Sequence, residues 1–80
     1  MIDRTTLKTW TVSALEDLGG GAKLLDVLKK VWEKHHSEIE SSGDAFFTWQ
    51  YDIRWAATAL RKQKKMKSTK QSKRGKWELA

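Results

Sequence analysis

Apolar residues recur at steps of three and four in the first part of the chain, between Thr5 and Leu18. This spacing places them on one face of an α-helix. The residues on that face are Leu7, Trp10, Ala14, Leu15 and Leu18. Three glycines follow, and glycine accepts the left-handed backbone conformation that ends many helices. The pattern predicts a first helix over about residues 5–18, closed by a sharp turn.

Two further segments show the same helical period. The first, over about residues 22–36, has an apolar side made of Leu24, Leu25, Leu28, Val31, Trp32 and His35. The second, over about residues 48–64, has an apolar side made of Trp49, Ile53, Ala56, Ala57 and Leu60. Both patterns predict amphipathic helices. The polar stretch 38–44 between them reads as a loop, and either Asp44 or Thr48 is suited to cap the third helix.

After Lys65 the pattern changes from a helical period to alternation. Residues 66–69 and 76–79 each alternate apolar or small residues with polar ones, which is typical of half-buried strands. The intervening loop contains Gly75, which can adopt the positive φ that a long hairpin connection requires. A hairpin is therefore predicted over about residues 66–80. The predicted fold class is mainly α with a C-terminal β-hairpin, a winged helix-turn-helix of three helices plus wing.

The chain has 80 residues and no cysteine, so we expect one domain over residues 1–80, held by packing without disulfides or thiolate-bound metal. Five tryptophans supply much of the apolar surface that so short a chain needs, and all five are expected to be structural. No apolar run approaches the roughly 20 residues of a membrane helix, and the first residues lack the apolar region of a signal peptide. We expect a cytoplasmic protein with no membrane partner, associated with the nucleoid if its source is bacterial.

Charge is divided unevenly along the chain. Residues 1–46 carry six Lys/Arg against eight Asp/Glu, whereas residues 47–80 carry ten against two, within a total of +6. A segregated positive field attracts polyanions, and the release of counterions from nucleic acid then supplies affinity. Double-stranded DNA is therefore the expected partner, with an anionic membrane surface as the second possibility from charge alone.

The side of the third helix opposite its apolar face is cationic and aromatic. Arginine can donate two hydrogen bonds to guanine, and glutamine can pair with an adenine edge, so this side is expected to enter the major groove. The expected groove contacts are Gln50, Tyr51, Arg54, Thr58 and Arg61. Lysines act mainly as point charges near phosphates. The expected phosphate contacts are Lys62, Lys65, Lys67, Lys70, Lys73, Arg74 and Lys76.

Three other interpretations of these residues stay open. The cationic stripe could be an ordinary solvated helix face, although it has no acid between Asp52 and Glu78 to balance it. A protein-interaction module is the alternative function, with an aromatic docking patch of Phe46, Phe47, Trp49 and Trp55. Single-stranded nucleic acid could stack on Tyr51 and Trp55, but a convex helix is a poor stacking platform compared with an open sheet.

The sequence offers little for catalysis. The pair His35-His36 lacks the further ligands of a zinc site and an orienting partner for general acid–base work, so the pair is expected near a helix C-terminus. The triple glycine lacks both the spacing and the preceding strand of a phosphate-binding loop. We therefore expect no enzyme activity, no metal and no cofactor.

Three short motifs carry a resemblance to a known family. They are Leu15-Glu16-Asp17-Leu18-Gly19-Gly20, Ile53-Arg54-Trp55-Ala56 with Leu60-Arg61-Lys62, and Arg74-Gly75-Lys76-Trp77-Glu78-Leu79. Together they resemble the N-terminal winged-helix domain of Mrr-type restriction proteins, and the resemblance spans nearly the whole chain. It implies a DNA-reading module that directs a nuclease or other effector, with preference for modified DNA, and it implies that Trp55 and Trp77 belong to the core. The chain departs from the family at Lys64-Lys65, where a glycine is usual.

Overall fold

The structure, a computed structural model, describes residues 2–73 and 75–80. It contains the helices α1 (Arg4–Asp17), α2 (Leu24–Glu40) and α3 (Ala45–Lys62). Two short strands, β1 (Gly21–Lys23) and β2 (Lys76–Glu78), form an antiparallel sheet. The fold is mainly helical with a small sheet that includes the C-terminal strand. The predicted order of three helices is confirmed, although the ends of all three differ from the prediction.

The ends of α1 are fixed by local hydrogen bonds. The Thr6 N–H donates to the Asp3 carboxylate at 2.8 Å, and this bond holds the pKa of Asp3 below its usual value. At the other end, the Gly20 N–H donates to the Leu15 carbonyl at 2.7 Å and the Gly19 N–H to the Glu16 carbonyl. This pair of bonds is a Schellman motif, in which Gly19 takes the left-handed position at φ +87°. The predicted glycine turn is confirmed.

The second helix extends further than its pattern indicates. It bends at His35, where φ is −133°, and continues to Glu40 rather than ending near residue 36. Ile39, beyond the bend, is fully buried, so the last turn is held by its contact with the core. The predicted loop over 38–44 is therefore too long, because only residues 41–44 separate α2 from α3.

The third helix begins at Ala45 and ends at Lys62, instead of running from about 48 to 64. Asp44 occupies the N-cap position, but its side chain makes no capping hydrogen bond. Thr48 lies inside the helix, where its hydroxyl donates to the Asp52 carboxylate at 3.0 Å. Neither predicted cap is formed, since the start of this helix is held by tertiary packing of Trp49 and Ile53.

The core lies between the three helices, and α1 and α3 make the most extensive contact of any two elements. The apolar side predicted for α3 is confirmed, because each of its members is buried. On α2 the prediction is right for Val31 but wrong for Leu25 and Trp32, whose exposed fractions are 60% and 38%. Val27 and Ile39 take the core positions of α2 instead. The buried tryptophans are Trp10, Trp49 and Trp77. Other buried core residues are Leu7, Ala14, Leu15, Leu60 and Met66.

The sheet differs from the predicted hairpin. Strand β2 pairs with β1, in the register Gly21↔Glu78, Ala22↔Trp77 and Lys23↔Lys76. The segment predicted as the first strand of the hairpin makes one bridge, Met66↔Leu79, on the other edge of β2. The segment leaves the sheet after Lys67 because Ser68 and Gln71 bond to each other's backbone and turn the chain away. The hairpin prediction over residues 66–80 is therefore correct for the direction of pairing and wrong for its main partner.

No helix in the described residues has the length and apolar character needed to cross a membrane.

Candidate nucleic-acid interface

The outer face of α3 carries the residues predicted to contact base edges. Gln50, Tyr51, Arg54 and Thr58 are exposed, and Arg61 is half-buried. Their placement follows from the helical period, since the apolar side of α3 is turned into the core. The Thr58 hydroxyl donates to the Arg54 carbonyl at 3.2 Å, so it lies against its own helix.

A groove of about 610 Å³ lies between the C-terminal half of α3 and the C-terminal loop, described over residues 68–73 and 75. Three predicted base-edge residues, Arg54, Thr58 and Arg61, line one side of it. Two predicted phosphate residues, Lys73 and Lys76, line the other side. We call this feature the cationic groove. It brings together side chains from two parts of the chain that the sequence assigned to different roles.

Arg61 is held within the cationic groove by an aromatic ring. Its guanidinium carbon lies 5.7 Å from the ring centroid of Trp77, which is buried in β2. Arginine favours such positions over an aromatic face. The Nε atom of Arg61 is buried and has no hydrogen-bond partner among the described residues, and the same is true of the hydroxyl of Ser72, which also lines the groove.

The charge of the cationic groove is uniform. Among the described residues, no aspartate or glutamate lines it. Within that same part of the chain, Arg54, Arg61, Lys73 and Lys76 form no ion pair. The charges of Arg54, Arg61 and Lys73 therefore have no acid paired with them in this part of the chain, whereas Lys76 lies close enough to Glu78 to interact with its carboxylate. The potential at the groove favours an anion.

Lys67 has a different environment. Its Nζ lies 3.2 Å from a carboxylate oxygen of Glu78, and this hydrogen bond holds the pKa of Glu78 below its usual value. The pair sits beside the turn 19–21, on a separate surface that Lys76 also borders. The charge of Lys67 is therefore already partly balanced within the chain.

The remaining predicted phosphate contacts are spread out. Lys65 lines a separate groove of about 380 Å³ between α1 and the end of α3, together with Lys8 and Glu16. Lys62 and Lys70 are exposed and do not line the cationic groove. Arg74 lies outside the described residues. The structure thus gathers the α3 arginines with Lys73 and Lys76, and it places Lys65 and Lys67 elsewhere.

The face of α3 also includes a contact that the sequence pattern did not indicate. The guanidinium carbon of Arg4, at the start of α1, lies 3.8 Å from the ring centroid of Trp55. Trp55 is 41% exposed, so its assignment to the core is wrong, and it forms part of the outer surface near Tyr51. Arg4 lies in the acidic part of the chain, and Ser72 lies in a loop without periodicity. The local sequence therefore indicated neither residue as part of the site.

Of the aromatic docking patch predicted as an alternative, Phe46, Phe47 and Trp55 are exposed, and Arg4 lies over the ring of Trp55. Trp49 is not part of that surface, because it is buried and stacks on Trp32 with ring centroids 6.2 Å apart. A different apolar surface is present between α2 and the start of α3. This apolar groove, of about 420 Å³, is lined by Leu25, Leu28, Lys29, Trp32, Phe46, Trp49 and Gln50.

The two histidines have structural contacts. His35 stacks on Trp10 with ring centroids 3.9 Å apart and an angle of 6° between the planes. Its Nδ1 also lies 3.2 Å from the Glu38 carboxylate. The backbone of His35 is non-helical, with φ −133° and ψ 16°, so the first helical segment of α2 ends at this pair and a second segment continues to Glu40. No cluster of three metal-ligating side chains occurs among residues 2–73 and 75–80.

Comparisons with protein-family models, with curated proteins and with solved structures found no match to this chain.

Proposed function

We propose that this chain is a winged helix-turn-helix module that binds double-stranded DNA. In this proposal α3 is the recognition helix and lies in the major groove, while the C-terminal loop and β2 form a wing that follows the phosphates. The module has no catalytic step of its own. Consistent with the resemblance to Mrr-type proteins, it directs an effector, such as a nuclease, to DNA.

The observation that carries the proposal is the cationic groove. Duplex DNA presents base edges and phosphates within one helical turn, so a reader needs donors for both on one continuous surface. Arg54 and Thr58 lie on the exposed side of α3, and Lys73 lies across the groove from them on the C-terminal loop. The lack of acids along the groove among the described residues supports a polyanionic partner.

A fluorescence anisotropy titration with a labelled duplex tests the proposal. The logarithm of the affinity should fall linearly with the logarithm of the salt concentration between about 50 and 150 mM, because bound counterions are released. Arg54→Ala should weaken binding by about 1–3 kcal/mol if the guanidinium contacts a base. Unchanged affinity of Arg54→Ala at both salt concentrations would show that α3 is not the recognition helix.

The matched control is a lysine on another surface. Lys8 lies on α1, in the groove that Lys65 lines, whereas Lys73 lines the cationic groove. Both variants Lys8→Ala and Lys73→Ala remove one positive charge. Only Lys73→Ala is expected to weaken DNA binding beyond the small loss that any reduction in net charge causes. Equal losses in the two variants would indicate unspecific attraction without a defined interface.

The apolar groove favours a second candidate function, a docking site for an amphipathic helix with an acidic flank. Leu25 and Phe46 are 60% and 40% exposed at its edges, and such exposed apolar surface marks interaction sites. Among the described residues that line it, the single charged side chain is Lys29. That cation complements a glutamate beside the apolar positions of the partner helix.

An NMR titration tests this second function. The probe is a synthetic helical peptide with leucines at i, i+4 and i+7 and glutamates beside them, and the indole signal of Trp32 should shift. A peptide of the same composition with scrambled order should leave the signal in place. Phe46→Ala should abolish the shift while keeping the DNA affinity of the parent chain. No shift with the ordered peptide would rule out this partner class.

A further inference from the structure

Two buried polar atoms in the cationic groove have no hydrogen-bond partner in the part of the chain that the structure describes. They are the Nε of Arg61 and the hydroxyl of Ser72, one on each side of the groove. Buried donors in folded proteins are almost always bonded, so an orphaned pair at one place indicates a group that comes from outside the chain. Both residues line the same groove.

The chemistry of the two atoms defines the kind of group that would satisfy them. The guanidinium N–H can only donate a hydrogen bond, and the serine hydroxyl can donate one as well. A ligand that satisfies both must therefore offer acceptor oxygens. Around them stand Arg54 and Lys73, with no acid lining the groove in the described part of the chain. Several acceptor oxygens combined with negative charge are the properties of a phosphate group.

The position of Arg61 also argues for a phosphate rather than a base edge. Its guanidinium is set over the Trp77 ring and its Nε is buried, so the side chain is not extended from α3 toward solvent. Reading a guanine requires the guanidinium to reach the floor of the major groove. Arg54 is exposed and lies about two helical turns earlier, so it is free to make that reach.

We propose that Arg61 and Ser72 form the seat of one phosphate group, which joins α3 to the C-terminal loop. The proposal rests on the proposed function in so far as the phosphate belongs to DNA, and it moves Arg61 from base reading to phosphate binding. It also assigns a binding role to Ser72, which no sequence pattern singled out. The same chemistry would accept the phosphate of a DNA backbone or free phosphate.

Such a seat has a structural consequence. The C-terminal loop is turned by the bonds between Ser68 and Gln71, and β2 follows directly after it. A phosphate held from both sides would fix this loop against α3. The amide of Ser72 already donates to the Ser68 carbonyl at 3.0 Å, so binding should slow its solvent exchange further as well as shift its signal.

The first arm of the test uses inorganic phosphate and the intact chain. On titration to millimolar phosphate, the signals of the Arg61 Nε–H and the Ser72 amide should shift together, while chloride at equal ionic strength should not move them. Ser72→Ala and Arg61→Lys should each weaken phosphate binding by about tenfold. Arg61→Lys keeps the charge but lacks the Nε donor and the planar fork, so it separates hydrogen bonding from simple attraction.

The second arm uses two duplexes of different sequence. If Arg61 binds a phosphate, Arg61→Lys should weaken both duplexes by the same factor, and replacing one backbone phosphate by a neutral methylphosphonate should remove the difference between the variant and the parent chain. If Arg61 reads a base, the variant should lose its preference between the two sequences. Loss of preference would overturn the proposal and leave the DNA-binding function standing.

The two arms also separate the sources of the phosphate. Shifts at Arg61 and Ser72 with inorganic phosphate, but no duplex binding, would support the seat for free phosphate and overturn the proposed DNA-binding function. Duplex binding that is unchanged in both Ser72→Ala and Arg61→Lys, with no response to inorganic phosphate, would overturn the seat alone. Thermal unfolding of both variants confirms that they are folded before either arm is interpreted.

Discussion

Gly19 and Lys64 occupy the same position in two copies of one helix-ending motif. Gly19 follows α1 with φ +87°, and Lys64 follows α3 with φ +60°. In each copy the next residue donates to a carbonyl five positions earlier, from Gly20 to Leu15 and from Lys65 to Leu60. This is the Schellman motif, whose left-handed position favours glycine. The chain therefore holds a lysine in a conformation that its other copy of the motif assigns to glycine.

Replacing this lysine should stabilise the fold. A residue with a Cβ is destabilised by about 1–2 kcal/mol in left-handed backbone, and glycine avoids this cost. Part of the gain is offset because glycine has more conformational freedom in the unfolded chain. Lys64→Gly is therefore expected to raise the free energy of unfolding by roughly 0.5–1 kcal/mol. Urea unfolding followed by circular dichroism measures the change.

The control for this prediction is Lys64→Ala. It removes the same charge but keeps the Cβ, so its effect should stay within about 0.5 kcal/mol of the parent chain. If alanine stabilises as much as glycine, the gain comes from reduced charge repulsion and not from relief of the backbone.

A second prediction concerns how the stability of the fold changes at low pH. The Lys34 ammonium lies 2.6 Å from the Asp17 carboxylate, and this hydrogen bond holds the pKa of Asp17 below its usual value. A carboxyl whose pKa is lower when folded contributes stability above its unfolded pKa of about 3.9, and that contribution is lost as pH falls through the folded pKa. Lys34→Gln should therefore be less stable than the parent chain at neutral pH, and the difference should shrink in strong acid to what the loss of the Lys34 bond to the Ser13 hydroxyl leaves.

Urea unfolding of both chains at intervals between about pH 2 and pH 7 measures this convergence. Asp17→Asn serves as the control, because it removes the titrating group. The difference in stability between Asp17→Asn and the double variant Asp17→Asn/Lys34→Gln should not vary with pH. Both side chains of the ion pair are partly exposed, so salt should reduce the difference at neutral pH. A difference that persists unchanged into strong acid would show that Lys34 acts through its methylene packing alone.

The stack of Trp10 on His35 gives a third prediction. Stacked aromatic rings stabilise by about 0.5–1.5 kcal/mol beyond their burial. A double-mutant cycle of Trp10→Leu and His35→Ala should therefore show a coupling energy in this range, measured by chemical unfolding at neutral pH. The matched cycle pairs Trp10→Leu with His36→Ala. His36 packs on Trp32 instead, so the two changes should add within about 0.5 kcal/mol.

How far the fold could be predicted depends on whether each element is decided locally. The buried side of α3 follows from the spacing of Trp49, Ile53 and Leu60. The backbone hydrogen bonds of a helix join residues close in sequence, so its 3.6-residue period can be recognised in a short segment. Strand β1 has no such signal. Its residues Gly21–Lys23 are a strand only because β2 lies beside them, more than fifty positions later in the chain.

The same distinction applies to the candidate site. The outward position of Arg54 is a consequence of the helical period and was predicted from the sequence. The position of Ser72 opposite Arg61, and the neutralisation of Lys67 by Glu78, depend on how distant segments pack. Charge counted along the sequence gave every lysine the same weight, whereas the structure separates those in the cationic groove from those that already have a partner.

That separation leads to the last prediction, which compares three variants in the DNA titration. Lys73→Gln removes a charge that lines the cationic groove, so it should weaken binding and lower the salt slope by about 1. Lys67→Gln removes a charge whose Nζ already lies 3.2 Å from the Glu78 carboxylate, so its loss should be smaller. Glu78→Gln frees Lys67 and removes a negative charge near the interface, and it should tighten binding at low salt. If Lys67→Gln weakens binding as much as Lys73→Gln, the interface extends over the sheet and is not centred on the groove.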